Sequence, residues 1–345
     1  MKAANFLNFT GVAVLCMLLF TSCKAEKSRP GDGKIGGAAA SRTETNFTIR
    51  YRPKWQSQAQ FAGVYMAHHK GFYEQYGLDV KIQRLLQAHE ATDSLYHGCS
   101  DVVHIDLLNA LEENRDSTRI VNIGQVTQKN SVLLVGKKSR GINSLEDFRG
   151  KKLGMWRSGS FLITELFLLK SKIPMQVVPI DWSISLFTQD VVDVINAMRY
   201  NEYHQLLQAG IREEDLFVVD LAELGYQIPD EGFYVTPEFY HAHPQECEAF
   251  LRATMDGWLY AFSHREETLD LVLKRMQDDN IRANRTHQGW MLEQMKEVVM
   301  PSTDEMGILK KQDYQNALQL MTEFYDFPRN IPYEEFYPNA AKKRR

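Results

Sequence analysis

The sequence predicts an α/β protein that contains two domains, and three observations support this fold class. Residues 47–82 follow the order strand, helix, strand, which is typical of a parallel βαβ unit. A second series of strands and helices begins at Lys152. About 300 residues follow the N-terminal segment, which is more than a single hydrophobic core usually holds. Two α/β domains are therefore expected.

The first 22 residues resemble a bacterial secretion signal. Lys2 supplies a positive charge, and the apolar run at 11–20 is short of the roughly 20 residues that a membrane-spanning helix needs. Small residues and then Cys23 follow this run, a pattern similar to a lipobox. We therefore expect a signal peptide at 1–22 and a diacylglycerol on the Cys23 thiol. The alternatives are an ordinary signal peptide with a chance cysteine and, less favoured, a single membrane-spanning anchor.

Residues 23–45 are rich in Gly, Ala, Ser and charged side chains. They lack the large apolar residues from which a core is built. We interpret this segment as a flexible tether between the lipid and the folded domains.

The first domain opens with an alternating segment, 47–51, that predicts a strand. Apolar residues at helical spacing over 59–76 predict a helix, and Gly77 is expected to end it in a left-handed turn. The next strand is predicted at 78–82. Further along the chain, short apolar runs predict strands at 101–103, 119–126 and 131–135, with a helix at 106–113.

The second series contains predicted strands at 152–156, 176–180, 192–198 and 216–220, with helices at 161–170 and 202–209. From Pro244 onward the pattern is helical. We place the two crossings between the domains near 137–141 and 232–236. The predicted first domain is therefore discontinuous, residues 46–138 with 235–335, and the second domain covers 139–234.

Composition excludes several function classes. The net charge is −4, and it becomes −5 when the signal is removed because Lys2 leaves with it. This mild acidity argues against a nucleic-acid partner, which usually leaves a strong basic footprint. Cys99 and Cys247 remain in the mature chain; two buried thiols are favoured over a disulfide. The histidines show no metal-binding spacing, so no metal or cofactor is expected.

Several strings resemble one known family. They are Trp55 followed by Gln60-Phe61-Ala62-Gly63-Val64-Tyr65-Met66-Ala67, then Lys70-Gly71-Phe72-Tyr73 and Gly77-Leu78-Asp79-Val80, then the segment 141–154, then Asp193 through Ala197-Met198-Arg199-Tyr200-Asn201-Glu202, and finally 231–252. This family comprises bacterial binding proteins for thiamine pyrimidine precursors, related to alkanesulfonate binders and to fungal pyrimidine synthases. The resemblance covers about residues 47–300. It implies a periplasmic-binding-protein-like fold, with two α/β domains, a hinge and a ligand cleft between the domains.

The fungal members are enzymes that consume pyridoxal phosphate and one of their own histidines. The resemblance places Ile105 where those enzymes have the lysine that forms an imine, and Asn109 where they have the histidine. Residues 225–235 contain no counterpart of their cysteine-rich stretch. An imine requires a primary amine. We therefore expect a binding protein and no enzyme.

Aromatic side chains supply the predicted faces of a ligand pocket. Trp55, Trp156 and Tyr200 follow the carboxyl ends of predicted strands, where α/β proteins bind ligands, and Tyr65 lies on the first helix. A flat aminopyrimidine needs aromatic faces and a few hydrogen bonds at its edge. Packing in the core or on the surface is the alternative role of the two tryptophans.

Polar candidates lie beside the aromatic ones. The carboxylate of Glu202 can accept a hydrogen bond from an exocyclic amine, and Asn201 offers both a donor and an acceptor. Their alternative role is at the N-terminus of a helix. Ser158, Gly159 and Ser160, with Arg157, precede another helix, where a ligand loop and a simple capped loop are equally favoured. Gln58, Gln60, Asp106 and Asn109 are further lining candidates.

The resemblance implies a solute-binding protein of an ABC importer, and the lipobox-like pattern at Cys23 predicts that it is lipid-anchored and faces the periplasm at the cell envelope. Its expected partners are an aminopyrimidine ligand, a permease with its ATPase, and the membrane through the lipid. The alternatives are a binder of alkanesulfonates or other small anions and, less favoured, a pyrimidine synthase-like enzyme.

Overall fold

The computed structural model describes residues 46–84, 91–156, 161–181, 183–328 and 330–339. The predicted signal peptide, Cys23 and the predicted tether lie outside the described residues, and so do Ser158, Gly159 and Ser160. The folded part belongs to one compact unit, residues 44–345. Of the helices in the described ranges, none is long and apolar enough to span a bilayer.

The strands of the described chain form two five-stranded sheets. Their bounds are β1 Phe47–Arg52, β2 Leu78–Ile82, β3 Val102–Asp106, β4 Val121–Gln125, β5 Val132–Lys137, β6 Lys152–Trp156, β7 Gln176–Ile180, β8 Val194–Met198, β9 Leu216–Asp220 and β10 Glu231–Val235. The first sheet has the order β2-β1-β3-β10-β4, and the second has the order β7-β6-β8-β5-β9. β1 is parallel to β2 and β3, as the βαβ prediction required, and β10 is antiparallel to both of its neighbours.

The helices flank these sheets. Their bounds are α1 Ala62–His69, α2 Phe72–Gln75, α3 Ala91–Tyr96, α4 Leu107–Glu113, α5 Phe161–Ser171, α6 Ser185–Thr188, α7 Glu202–Gln208, α8 Pro237–Ala242, α9 Pro244–Ser263, α10 Arg265–Asp278, α11 Arg285–Val299, α12 Lys311–Phe324 and α13 Tyr333–Phe336. Short 3-10 turns are Ala59–Phe61, Lys138–Arg140, Leu145–Phe148, Glu213–Asp215 and Thr303–Glu305. The α/β class is confirmed.

The crossings between the sheets differ in position from those predicted. The chain leaves the first sheet after β4 and enters the second at β5, so the first crossing is 126–131. It returns between β9 and β10, over 221–230. We had assigned the end of β5 and the β10 segment to the crossings themselves. Below, residues 46–125 with 231–339 are called the first lobe and residues 132–220 the second lobe; the domain boundaries at 139 and 234 remain a prediction.

The predicted helix over 59–76 is divided in the structure. Gly71 has φ +72°, which breaks the helix between α1 and α2, and Gly77 at φ +77° ends α2. Glycine tolerates this left-handed backbone because it has no Cβ. The end at Gly77 agrees with the prediction, whereas the continuity through Gly71 was wrong.

Two glycines set the distance between α1 and α9. A Cβ on Gly257 would lie 2.0 Å from the carbonyl oxygen of Gly63, and one on Gly63 would lie 2.4 Å from the Trp258 ring. The two helices therefore pack backbone to backbone, which holds α9 firmly on the first lobe. Cys247 lies buried in α9 and Cys99 is exposed, and no bond joins them. The expectation that both thiols are buried was wrong for Cys99.

Candidate ligand-binding site

Two tryptophans, one from each lobe, meet at the carboxyl edges of the sheets. Trp55 lies three residues after β1, and Trp156 is the last residue of β6. Their ring centroids are 5.7 Å apart and the rings are perpendicular, at 88°. The indole nitrogen of Trp156 donates to the carbonyl of Asn196 at 3.0 Å, which fixes the orientation of this ring. The structure brings these two predicted pocket residues into contact, and their role in binding a ligand remains a proposal.

A hydrogen-bonded group around Glu231 also joins the lobes. The Gln60 amide nitrogen donates to Glu231 Oε1 at 2.5 Å, and the Tyr200 hydroxyl donates to the same oxygen at 3.0 Å. Gln60 and Tyr200 are themselves 3.0 Å apart. Tyr200 comes from the second lobe, two residues after β8, and the other two come from the first lobe. All three are buried, so these bonds are shielded from water.

Lys54 adds a positive charge to this group. Its Nζ lies 2.5 Å from Asp106 Oδ1 and 3.4 Å from Glu231 Oε1. The two carboxylates are adjacent because Glu231 opens β10 directly opposite Asp106, at the end of β3. Burial alone would lower the pKa of Lys54, but the carboxylates of Asp106 and Glu231 raise it above its ordinary value. The ammonium therefore keeps its proton.

Burial shifts the pKa values of the other titratable groups beside Lys54. Burial, together with the nearby Lys54 charge, lowers the pKa of His104 to about 3. Its Nδ1 lies 3.0 Å from the Tyr51 hydroxyl, and its Nε2 lies 3.3 Å from Glu231 Oε2 without the geometry of a hydrogen bond. Burial, and then the charge of Asp106, raises the pKa of Asp230 well above its ordinary value. Burial also raises the pKa of Asp106, which Lys54 opposes.

A small recess of about 10 Å³, roughly the room that one water molecule or one ammonium group needs, lies beside Asp106 between the two lobes. Its polar lining is Asp106, Asn109 and Asp230, and its apolar lining comes from α4, α5 and the return crossing. In the described part of the chain, Asp106 Oδ2 and Asn109 Oδ1 have no hydrogen-bond partner. Buried acceptors without partners are rare and costly in native proteins. The recess therefore presents acceptors to whatever enters it.

Glu231 has a second connection through its main chain. Its amide donates to Thr127 Oγ1 at 2.8 Å, and its carbonyl accepts from the Val126 amide at 2.8 Å. Asp230 accepts from the Ser131 amide at 2.9 Å. Residues 126–131 form one crossing, and Asp230 ends the other. The group around Glu231 is thus bonded directly to the hinge.

The structure places Asn201 and Glu202 in a local turn at the start of α7. Glu202 accepts from the Met198 amide at 2.8 Å and from the Asn201 side-chain amide at 2.6 Å. Burial raises the pKa of Glu202 to about 7. Asn201 precedes α7 without capping it through its side chain. Both carboxylate oxygens of Glu202 therefore already have donors within the protein.

A second contact between the lobes involves α7 and α11. Asn201 Oδ1 lies 3.0 Å from His287 Nε2, and the Nδ1 atoms of His204 and His287 are 2.9 Å apart. The Trp290 ring stacks on His204 within 3°, and its indole nitrogen donates to the Arg199 carbonyl at 3.1 Å. Burial lowers the pKa of His287 to about 4. This contact is distinct from the group around Glu231.

Tyr65 has different neighbours from the other predicted residues. Its hydroxyl donates to Ser57 at 3.2 Å, and the Arg275 guanidinium lies over its ring at 4.6 Å. Burial raises its pKa to about 12. These contacts place Tyr65 against α10 and assign it a packing role in this conformation; its predicted ligand role remains a proposal.

Sequence patterns missed Lys54, His104 and Glu231, which complete the group. Lys54 lies three residues after the predicted strand at 47–51, and this position near a strand end was the available signal. Glu231 lay in a segment interpreted as a crossing, so its alignment with Asp106 was not foreseen. Within the described residues, no set of three or more His, Cys, Asp or Glu side chains is arranged to hold a metal ion.

Comparison with known proteins decides the family. The model of the family described as NMT1/THI5 like matches residues 58–268. The chain belongs to the NMT1/THI5-like family. A curated relative, the 4-amino-5-hydroxymethyl-2-methylpyrimidine phosphate synthase of Legionella pneumophila, is 22% identical over 222 residues, covering 63% of this chain and 70% of that protein. The riboflavin-binding protein RibY of Chloroflexus aurantiacus is 21% identical over 273 residues, covering 76% of each protein.

Solved structures agree on the fold of this NMT1/THI5-like chain. The periplasmic aliphatic sulphonate binding protein SsuA of Escherichia coli has a TM-score of 0.66 at 13% identity, covering 85% of this chain and 98% of that protein. The predicted periplasmic-binding-protein-like fold is confirmed. The chain thus has the architecture of substrate-binding proteins of ABC-type importers, and its own side chains must indicate the ligand.

Proposed function

We propose that this chain is the solute-binding component of an ABC importer, and that it captures an aminopyrimidine precursor of thiamine between its lobes. The observation that carries this proposal is the pair of unpartnered acceptors on Asp106 and Asn109, and the contact of Trp55 with Trp156 between the lobes supports it. An exocyclic amine donates the hydrogen bonds that Asp106 Oδ2 and Asn109 Oδ1 lack. The perpendicular Trp55 and Trp156 rings offer one face and one edge to a flat heterocycle.

The same chemistry disfavours an alkanesulfonate. A sulfonate carries only acceptors and a negative charge, so its site needs donors. Here the nearby donors Lys54 and Gln60 are engaged by Asp106 and Glu231. A sulfonate in this recess would face carboxylate oxygens at short range, which is unfavourable at low dielectric.

Two features support binding rather than synthase chemistry. Ile105 occupies the position of the family lysine, and it lies on β3 with 8% exposure. Lys54 is nearby, but its ion pair with Asp106 raises its pKa and keeps the amine protonated. A protonated amine is not a nucleophile, so it does not form an imine.

The location proposed for the protein follows from the N-terminal pattern and the fold. Cleavage before Cys23 and lipidation there would hold the chain at the membrane, facing the periplasm, where a permease and its ATPase receive the ligand. Fractionation tests this: the wild-type chain should partition with membranes, and Cys23→Ala should not be lipidated. A wild-type chain that remains soluble after signal cleavage would contradict the anchor.

A ligand panel tests the proposed function. Binding to the native state raises the melting temperature, so thermal shift followed by calorimetry should detect 4-amino-5-hydroxymethyl-2-methylpyrimidine or a close aminopyrimidine. Ethanesulfonate, riboflavin and pyridoxal phosphate complete the panel. A clear shift with one of these three, and none with any aminopyrimidine, would overturn the ligand assignment. Turnover of any of them would overturn the assignment as a binding protein.

A further inference from the structure

The donors of Lys54, Gln60 and Tyr200 are engaged by carboxylate oxygens. Lys54 bonds Asp106 through Oδ1, and the other carboxylate oxygen, Oδ2, is the one left without a partner in the described chain. Gln60 and Tyr200 both donate to Glu231 Oε1. Asp230 accepts from the Ser131 amide. These donors are therefore already engaged, whereas Asp106 and Asn109, which line the recess, each keep an acceptor without a partner among the described residues.

The charges of these groups do not balance. Two carboxylates, Asp106 and Glu231, share the single ammonium of Lys54. His104 is neutral, because burial and Lys54 lower its pKa to about 3. Burial, and then the charge of Asp106, raises the pKa of Asp230. Two buried carboxyl groups thus share one positive charge, and a carboxylate left uncompensated in such an environment is costly.

We propose that the Asp106–Asn109 recess is a cation subsite, and that the ligand enters it with a positively charged, hydrogen-donating amine or amidinium group and without a phosphate. The unpartnered Asp106 Oδ2, on a residue only 5% exposed, and the unpartnered Asn109 Oδ1 line the same recess. A bound cation bonds both acceptors and cancels the excess charge. This inference rests on the proposed function, which assigns an aminopyrimidine ring to the ligand, and it adds that the ligand carries a positive charge.

Calorimetry with charge-matched ligands tests the subsite on the full folded chain. The probes are the aminomethyl, hydroxymethyl and phosphooxymethyl derivatives of 4-amino-2-methylpyrimidine at pH 7.5. Since charge-assisted hydrogen bonds are about twice as strong as neutral ones, we expect the aminomethyl compound to bind about tenfold more tightly than the hydroxymethyl compound. The phosphooxymethyl compound should bind most weakly.

Two isosteric variants move this preference in opposite directions. Asp106→Asn removes the excess charge and should bring the ratio of aminomethyl to hydroxymethyl affinity close to one. Asn109→Asp adds a carboxylate to the recess and should increase the ratio; because Asn109 is only partly buried, this variant keeps the test usable if Asp106→Asn does not fold. Asp116→Asn changes the same charge at an exposed position and should leave the ratio unaltered.

A parallel series of benzylamine, benzyl alcohol and benzyl phosphate separates this inference from the proposed function. Aminopyrimidines that bind with equal affinity whatever their charge would overturn the cation subsite and leave the proposed function standing. Benzylamine that binds with the predicted response to Asp106→Asn, while no aminopyrimidine binds, would support the subsite and refute the ring assignment. Tightest binding of a phosphate ester, or no binding of either amine, would overturn the subsite.

Discussion

The Nδ1 atoms of His204 and His287 lie 2.9 Å apart, and the two rings are parallel within 2°. Each neutral imidazole carries one proton, so a single hydrogen between these atoms satisfies both rings. Two protonated rings would place two donors and two positive charges face to face. This contact across the lobes is therefore stable only while at least one ring is neutral.

His287 should make stability rise with pH in the mildly acidic range. Burial, and then the charge on His204, lowers its pKa from 6.5 to about 4. The unfolded chain thus takes up this proton first as the pH falls, so stability is lost between about pH 6.5 and 4. Allowing for solvent screening, we expect His287→Gln to remove about 1 to 2 kcal/mol of this pH dependence. Denaturant unfolding at several pH values measures it, with exposed His241→Gln as control.

Glu202 should have the opposite effect. Burial raises its pKa from 4.5 to about 7, so the native state holds this proton more tightly than the unfolded state does. Its stabilising contribution is complete below pH 4.5 and is lost as the pH rises through 7. We expect Glu202→Gln to show stability that rises more steeply with pH than in the wild type, because the Glu202 effect no longer opposes that of His287. A wild-type profile identical in slope to this variant between pH 5 and 7 would contradict the raised pKa.

Trp55 is expected to contribute directly to ligand affinity. Its ring reaches Trp156 across the cleft, and large aromatic side chains in such positions dominate binding energies. Trp55→Ala should weaken aminopyrimidine binding by about tenfold or more, with little change in unfolding temperature. Calorimetry and tryptophan fluorescence measure this loss. The matched control is Tyr76→Ala, which removes an aromatic ring that is 40% exposed on the first lobe.

Tyr200 is expected to link ligand binding to lobe closure. Its hydroxyl is bonded to both Gln60 and Glu231 of the other lobe. Tyr200→Phe leaves the ring in place and removes these bonds, so affinity should fall by about tenfold. Small-angle X-ray scattering should show a larger radius of gyration for the variant at equal ligand concentration. Tyr203→Phe is the control, since its hydroxyl faces Glu213 within the second lobe; an equal effect of both variants would remove Tyr200 from this role.

Gly257 should not tolerate a side chain. A Cβ there would lie 2.0 Å from the Gly63 carbonyl oxygen and 2.8 Å from Ala67 Cβ, and a backbone contact of this kind does not relax easily. We expect Gly257→Ala to lower the free energy of unfolding by about 3 kcal/mol. Gln245→Ala, at an exposed position of the same helix, should change it little. Equal melting temperatures for the two variants would show that α1 and α9 can separate without cost.

Local patterns were sufficient to predict most strands of the fold. The segments at 78–82, 152–156, 176–180 and 216–220 are strands with those bounds, because alternating or continuous apolar runs of this length are typical of strands. β10 was missed because it is held by long-range antiparallel pairing with β3 and β4, and a five-residue segment beginning Glu-Gly gives no local indication of this. The break at Gly71 was missed because apolar spacing continues through it.

Sequence patterns predicted the positions of some site residues but not the contacts that depend on distant parts of the chain. Trp55 and Trp156 could be placed, because each follows a predicted strand and the carboxyl ends of strands share an edge. The partners of Asn201 and His204 could not, because His287 and Trp290 come from a helix more than 80 residues later. Glu202, selected as a ligand acceptor, accepts instead from Met198 and Asn201, and its ligand role remains a proposal.

Glu231 is bonded through its side chain to both lobes and through its main chain to the crossing at 126–131. A substitution there changes the pocket and the fraction of molecules that are closed at the same time, and the apparent affinity depends on both. A substitution of Glu231 that changes the ligand specificity therefore also changes the equilibrium between the open and closed states. The main chains of Asn109 and Trp55 lie outside the crossings. Substitutions at these two positions can therefore change the ligand specificity during evolution and leave the closure of the lobes unchanged.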